Sequence, residues 1–218
     1  MNESARPHVV HFYDSRIPSG NAYKVHLLLR QLEAPAYATT ELDLLASPSD
    51  TRRPAFLAKN PNGRIPTVEL SDGSLLPESN AILYYLAEGT PMLPASPLER
   101  ARALAWMFFE QYSHEPFVAV LKFWTYWGGL EHKAPQELER LRKQGQAALD
   151  VMEQHLDKHT FFVAEHYSVA DISLFAYTQS AETIGYRVGP RVKAWLQRVA
   201  ARPRYIPIKP DPLGKIPR

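Results

Sequence analysis

The sequence has 218 residues, of which 45% are hydrophobic, so it can form one large domain or two smaller ones with separate cores. Its formal net charge is +2, from 25 basic and 23 acidic residues, and no Lys/Arg block is interleaved with aromatic residues, which argues against a nucleic-acid partner. No apolar run approaches the roughly 20 residues of a membrane span, and residues 1–8 lack the apolar core of a secretory signal. We therefore expect a globular cytoplasmic protein without a membrane partner.

The chain contains no cysteine. It therefore has no disulfide, no thiolate metal site and no dithiol redox centre of its own. Because none of the eight histidines belongs to a recognised metal-binding motif, no metal site is predicted. Any thiol chemistry must use the thiol of a bound molecule.

The first third of the chain predicts a strand, a helix and a second strand. Val9–Tyr13 is the first predicted strand, and Tyr37–Leu42 is the second, parallel to the first through a right-handed crossover. The helix is predicted from Ala22 to Glu33, where apolar residues recur at helical spacing: Val25, Leu28, Leu29 and Leu32. Residues 46–54 are interpreted as irregular, with a short helix near 54–58.

A β-hairpin and a helix follow. Thr67–Leu70 alternates polar and apolar side chains, Asp72–Gly73 is a turn signal, and Ser74–Leu76 begins the return strand. Ser79 is interpreted as the N-cap of a helix that Gly89 ends in a left-handed conformation. With the two earlier strands, this predicts a four-stranded mixed sheet in a thioredoxin-like arrangement of βαβ followed by ββα.

The remainder of the chain is helical in character. We predict a first domain at residues 1–88, a linker at 89–95 and an all-α domain at 96–218. Ser96–Glu99 and Ser168–Asp171 both have the sequence of a capping box. The predicted helical features are a long aromatic-rich helix bending at Pro116, a stop at Gly128–Gly129, helices at 135–157, 172–183 and 192–201, and a proline-rich tail from Pro203.

One succession of motifs resembles a known family. The segment Asn60–Pro66 has the sequence N-P-N-G-R-I-P, and the hairpin and then Glu78 and Ser79 follow it. This succession resembles the glutathione-binding region of the cytosolic glutathione transferases, a likeness that extends over both domains. The resemblance implies a thioredoxin-like N-terminal domain, an all-α C-terminal domain, a homodimer, and glutathione as co-substrate with no other cofactor.

The resemblance also assigns expected roles to individual residues. Pro66 would follow a cis peptide bond, and the backbone of Ile65 would pair with the cysteinyl part of glutathione as an added strand does. Glu78 would bind the ammonium group of glutathione, and Ser79 with its helix N-terminus would bind the γ-glutamyl carboxylate. Arg52 and Arg53 are candidates for the glycine carboxylate, with a solvated surface position as the alternative. Arg64, at a position where many relatives have Gln or Lys, is a further candidate contact of glutathione. By themselves, Glu78 and Ser79 are also typical of an ordinary helix start.

A donor to the glutathione sulfur is expected near the first helix. Ser19–Val25 has the sequence S-G-N-A-Y-K-V, which resembles the corresponding segment of the serine-type transferases related to the phi and theta classes. Ser19 is the first candidate donor, and Asn21 is the second, as in nu-class relatives. Tyr13, by analogy with the tyrosine-type classes, is the third. Lys24 on the first turn could support the field around the anion, but it is interpreted as a solvated helix lysine. An alternative interpretation is that Ser19 only caps the helix.

The second substrate is expected to be a small hydrophobic electrophile lying between the two domains. The candidate contacts are Ile17 in the loop before the first helix, and Tyr112, His114 and Trp124 in the aromatic-rich helix. Three functions are compatible with the sequence: conjugation of glutathione to electrophiles, glutathione-dependent reduction of peroxides or disulfides as in nu-class relatives, and binding of glutathione or another ligand without turnover.

Overall fold

The computed structural model describes residues 7–211. The chain divides into two compact units between Glu88 and Gly89. The first unit contains a four-stranded mixed sheet, and the second is helical.

The sheet of the first unit has the strand order β2-β1-β3-β4. β1 and β2 are parallel, whereas β3 is antiparallel to both β1 and β4. The predicted βαβ and hairpin connections are therefore confirmed, with the bounds β1 Val9–Ser15, α1 Gly20–Gln31, β2 Ala38–Leu42, α2 Pro54–Leu57, β3 Thr67–Leu70, β4 Leu75–Pro77 and α3 Ser79–Ala87, and with a 3-10 turn at Asp50–Arg52.

The core of this unit lies between the sheet and the helices α1 and α3. Phe12 of β1, Val25 of α1 and Ile82 of α3 are completely buried in one apolar cluster. Since α1 and α3 pack against each other on the same face of the sheet, their N-termini are brought together. Tyr13, the neighbour of Phe12, points to the opposite face, where its ring meets Phe56 of α2.

Up to residue 211, the second unit consists of five α-helices and short helical turns. A completely buried helix, α7, lies at its centre and packs against the neighbouring helices. Two 3-10 turns occur at Leu130–His132 and Glu182–Ile184. The helices are α4 Pro97–Phe109, α5 Glu115–Tyr126, α6 Pro135–Leu156, α7 Val169–Thr178 and α8 Pro190–Ala200.

The long helix predicted to bend at Pro116 is interrupted just before this residue by a π-helical turn, Glu110–His114. Proline lacks an N–H and its ring clashes with the carbonyl four residues earlier, so a regular helix cannot run through it unchanged. Here the N–H of Glu115 bonds the carbonyl of Glu110, five residues back, which widens the turn. The wider turn directs the buried Glu110 carboxylate to the Ser173 hydroxyl of α7, at 3.1 Å.

The two predicted capping boxes differ. Ser96 occupies the cap position of α4 but makes no side-chain cap hydrogen bond, so the first box is not formed. The second is confirmed: Ser168 caps α7, and Asp171 accepts from the Ser168 N–H at 2.9 Å. Asp171 also accepts from Trp195 Nε1 at 2.9 Å and from the Phe162 N–H at 3.3 Å, while burial raises its pKa to about 6.

We expect Asp171→Ala to destabilise the helical unit by more than about 3 kcal/mol, because three buried N–H donors lose their acceptor at about 1–3 kcal/mol each. Urea unfolding followed by tryptophan fluorescence measures this loss, since all four tryptophans lie in the helical unit. Asp157→Ala is the control. Its surface ion pair with Arg191, at 2.9 Å, is worth at most about 1 kcal/mol. Equal stability losses in the two variants would contradict the role of Asp171.

Candidate active site

The candidate site lies where α1 and α3 begin. Ser19 is the N-cap of α1, and its Oγ accepts a hydrogen bond from the Ala22 N–H at 3.3 Å. A hydroxyl accepts through a lone pair and keeps its own hydrogen for donation. Capping the helix and donating to a ligand are therefore compatible roles for Ser19.

Three polar side chains connect the first turns of these two helices. Lys24 Nζ donates to Asn21 Oδ1 at 2.8 Å and lies 3.5 Å from Ser79 Oγ, which itself donates to Asn21 Oδ1 at 3.2 Å. Lys24 is 0% exposed, so the interpretation of this residue as a solvated lysine is wrong. Its aliphatic stem is long enough to cross the helix interface from α1 and bring its ammonium group to α3.

The sequence predicted Ser79 as the N-cap of α3, and this prediction is wrong: Ser79 is the first residue of the helix. Glu78 occupies the cap position without a side-chain cap hydrogen bond. The Ser79 hydroxyl is buried and takes part in the contact with Asn21, so its role is more than a local helix cap.

Glu78 has a backbone conformation that is unfavourable for a residue with a side chain. Its φ is 72° and its ψ is 113°. Such a conformation costs about 1–3 kcal/mol and is concentrated at functional sites. The exposed carboxylate lies 3.5 Å from Asn62 Nδ2 of the loop before β3. The geometry thus places an acidic group at the N-terminus of α3.

The loop before β3 contains the cis peptide bond Ile65–Pro66, which the resemblance implied. The buried side chain of Asn60 fixes this loop through hydrogen bonds, a role that the sequence did not predict. Its Nδ2 donates to the Arg64 carbonyl at 2.8 Å and to Thr67 Oγ1 at 3.2 Å, while its Oδ1 accepts from the Asn62 N–H at 3.1 Å. The only available signal for Asn60 was its place at the start of the N-P-N-G motif.

The three candidate arginines have different surroundings. Arg52 donates from Nη1 to the Asn62 carbonyl at 3.1 Å, so it lies against the loop that leads to Ile65. Arg53 forms an ion pair with Asp50 at 2.9 Å. The side chain of Arg64 is exposed. Of the three, Arg52 has the contact that best orients it toward the loop.

The structure does not bring Tyr13 to the start of α1. Its hydroxyl donates to Glu69 Oε2 at 3.3 Å, and Lys59 Nζ lies 5.2 Å from the centre of its ring. These contacts are on the face of the sheet opposite α1. The geometry therefore favours Ser19 and Asn21 over Tyr13 as donors to a ligand at the helix N-terminus.

The candidate contacts for a second substrate are unequal in exposure. Tyr112 is 84% exposed, and Ile17 and Trp124 are half-buried, with Lys133 Nζ 4.6 Å from the centre of the Trp124 ring. His114 is completely buried, and its Nε2 is 3.0 Å from Thr178 Oγ1. The expectation that His114 is exposed to a substrate is wrong, because the π-helical turn directs it toward α7.

Two histidines lie close together at the end of α6. His155 is in the last turn of this helix and His159 lies beyond its end, and their rings stack with centroids 4.4 Å apart. Among residues 7–211, no group of three or more His, Cys, Asp or Glu side chains is arranged to hold a metal ion. In the same range, none of the helices has the length and apolar character required to cross a membrane.

Known proteins similar to this chain identify its family. Models of the N-terminal and C-terminal domains of glutathione S-transferases match residues 18–88 and 135–198. A crystal structure of a glutathione S-transferase from Pseudomonas fluorescens Pf-5 is 47% identical, with a TM-score of 0.86, and the match covers 90% of this chain and 97% of that one.

A curated protein and a further solved structure are also similar to this chain. The disulfide-bond oxidoreductase YfcG of Escherichia coli K12 is 31% identical over 199 residues, which is 85% of this chain and 88% of that protein. A glutathione transferase of Burkholderia graminis, solved with two glutathione molecules per subunit, is 27% identical with a TM-score of 0.75. The match covers 93% of this chain and 88% of that one.

The chain belongs to the glutathione S-transferase family, with its thioredoxin-like and all-α domains.

Proposed function

We propose that this protein binds glutathione at the N-termini of α1 and α3 and activates its thiol for attack on a second substrate. The observation that carries the proposal is the contact of Ser79 with Asn21, because it brings the expected carboxylate subsite beside a candidate donor to sulfur. The site also offers a helix N-terminus to each of the two anionic groups of the ligand, the γ-glutamyl carboxylate and the thiolate.

Each part of glutathione has a partner of suitable chemistry. The carboxylate of Glu78 would bind the ammonium group. The N-terminus of α3 would bind the γ-glutamyl carboxylate together with the Ser79 hydroxyl, whose single hydrogen would turn from Asn21 Oδ1 to the ligand. The backbone of Ile65 would pair with the cysteinyl amide as an added strand. Arg52 is the preferred partner of the glycine carboxylate, since Arg53 is already paired with Asp50; Arg64 is retained as an alternative because its side chain is exposed.

Thiol activation needs only a modest stabilisation of the anion. A free thiol has a pKa of about 8.5, so lowering it by about two units requires about 2.7 kcal/mol. A hydrogen bond to a charged group contributes about 1.5–3 kcal/mol and a helix N-terminus about 0.3–1 kcal/mol. Donation from Ser19 or Asn21 at the start of α1 is therefore sufficient.

The first candidate reaction is conjugation. The thiolate sulfur attacks an electrophilic carbon of a small apolar molecule, the carbon–sulfur bond forms, and the leaving group departs with the bonding electrons. Ile17, in the loop before α1, is the proposed contact of this second substrate, whereas Tyr112 and Trp124 of the helical unit stay predictions of the sequence. A homodimer is the proposed assembly by analogy with the family.

The second candidate is disulfide reduction. Asn21 is the specific observation in its favour, because nu-class relatives, which reduce disulfides, use an asparagine as a donor to the sulfur. Here the thiolate attacks one sulfur of a disulfide, forming a mixed disulfide and releasing the other sulfur as a thiolate. The thiolate of a second glutathione then attacks the glutathione sulfur of the mixed disulfide, which forms oxidised glutathione and releases the remaining substrate sulfur as a second thiolate. The Escherichia coli relative is a disulfide-bond oxidoreductase, and the Burkholderia relative holds two glutathione molecules. A chain without cysteine can perform this reaction because glutathione supplies both thiols.

We expect turnover with glutathione in one of two assays, conjugation to a chlorinated nitroaromatic or reduction of hydroxyethyl disulfide and a hydroperoxide. Product formation in the first assay alone supports a transferase. Product formation in the second alone supports a glutathione-dependent reductase. Calorimetric binding of glutathione without turnover in either would replace both with a binding function, and an absence of binding would overturn the proposal.

The binding contacts predict a loss of affinity in Glu78→Gln and in Ser79→Ala. Ser79→Ala removes a hydrogen bond to a charged group, and Glu78→Gln removes the charge of the acceptor. A charge-assisted hydrogen bond is worth about 1.5–3 kcal/mol, so the dissociation constant for S-methylglutathione should rise roughly ten- to a hundredfold. Titration calorimetry measures it. Glu41→Gln, which changes an exposed carboxylate on β2, should leave affinity unchanged. Wild-type affinity in both site variants would remove these residues from the site.

Thiol activation predicts that Ser19→Ala or Asn21→Ala raises the pKa of bound glutathione by about one to two units. The ultraviolet absorbance of the thiolate, titrated against pH, reports this shift directly. The rate at pH 7 should fall roughly ten- to a hundredfold and recover as the pH rises, because alkali restores the thiolate. Tyr13→Phe serves as the matched control and should titrate as the wild type. A shift confined to Tyr13→Phe would transfer the role to that residue.

A further inference from the structure

Lys24 is the feature of the site that the proposed function does not yet use. Its ammonium group is completely buried, at the first turns of both α1 and α3. The N-terminus of a helix carries a partial positive charge, so a cation is disfavoured there, and removing an ammonium from water is costly as well. A buried cation in this position favours the binding of an anion beside it.

The contact between Lys24 and Asn21 determines which way the Asn21 amide points. An ammonium group only donates hydrogen bonds, so the atom that faces it at 2.8 Å must be the amide oxygen. With the oxygen in this place, Ser79 Oγ can donate its hydroxyl hydrogen to it at 3.2 Å. The NH2 group of Asn21 is consequently directed away from Lys24. Asn21 and Lys24 are three residues apart on α1, so they lie on one helix face.

We propose that Lys24 is a positioning residue for thiol activation, acting through Asn21. By holding the amide oxygen, it keeps the NH2 group turned outward as a donor to the sulfur of bound glutathione, an inference that rests on the proposed function. Without Lys24 the amide can rotate and present its oxygen to the thiolate, which repels the anion. Because Ser79 binds the same oxygen, the carboxylate subsite and the sulfur donor belong to one hydrogen-bonded unit.

The test compares Lys24→Met and Lys24→Gln by thiolate titration of bound glutathione. We expect Lys24→Met to raise the pKa of the bound thiol by about one unit, which is roughly tenfold less thiolate below that pKa. Lys24→Gln should recover part of the shift, because its side-chain amide can still donate to Asn21 Oδ1 without carrying a charge. A purely structural role would not separate the two variants in this way.

A double-variant cycle identifies the route of the effect. If Lys24 acts through Asn21, adding Lys24→Met to Asn21→Ala should change the thiol pKa by less than about 0.3 units, although each change alone shifts it. Shifts that add would mean that Lys24 acts by its own charge and would overturn the positioning role. An unshifted titration in Lys24→Met would also overturn it.

Two controls complete the experiment. Lys122→Met removes another buried lysine, one that pairs with Asp211 at 3.2 Å in the helical unit, and should leave the thiol pKa unchanged. Calorimetry with S-methylglutathione checks that each variant is folded and binds the ligand. If Lys24→Met does not fold, Lys24→Gln and its double variant with Asn21→Ala provide the comparison. An ordinary thiol pKa in the wild type would overturn the thiol activation proposed above together with this inference, a result seen before any variant is made.

Discussion

The packing of α1 and α3 on one face of the sheet is the constraint on which the candidate site depends. Phe12, Val25 and Ile82 are buried in the interface that joins the two helices to the strands. Burial of this apolar surface stabilises the unit. It also brings two helix N-termini together, because α1 and α3 both begin at the same end of the sheet. The polar contacts of Asn21 and Ser79 form only because the apolar core sets the distance between the helices.

The helical unit shows the same dependence of polar contacts on burial. Asp171 accepts hydrogen bonds from a cap, a loop and the Trp195 indole, so one carboxylate joins three segments of the chain. The π-helical turn before Pro116 likewise turns Glu110 toward α7. Both groups are held by partners in the interior, where an unsatisfied polar atom would cost more than it does at the surface.

The chemistry of the site follows from what the chain lacks as well as from what it contains. Without cysteine, the protein can act on thiols only by binding one and stabilising its anion. A buried ammonium, two helix N-termini and neutral donors provide a positive potential without a nucleophile of the protein's own. Conjugation and disulfide reduction, the two reactions proposed for this site, both use such a stabilised thiolate.

The sequence alone determined the strands, the hairpin, α1, the second capping box and the family, because apolar periodicity, turn residues and the motif from Asn60 to Ser79 are local signals. It indicated Ser19, Asn21, Glu78 and Ser79 as candidates through the resemblance to the family together with their places at helix starts. Only the tertiary structure decided that Lys24 is buried, that Ser79 bonds Asn21 and that His114 faces α7. The reason is physical: burial and side-chain contacts depend on residues distant in the chain, here 55 to 64 positions apart, which local periodicity does not register.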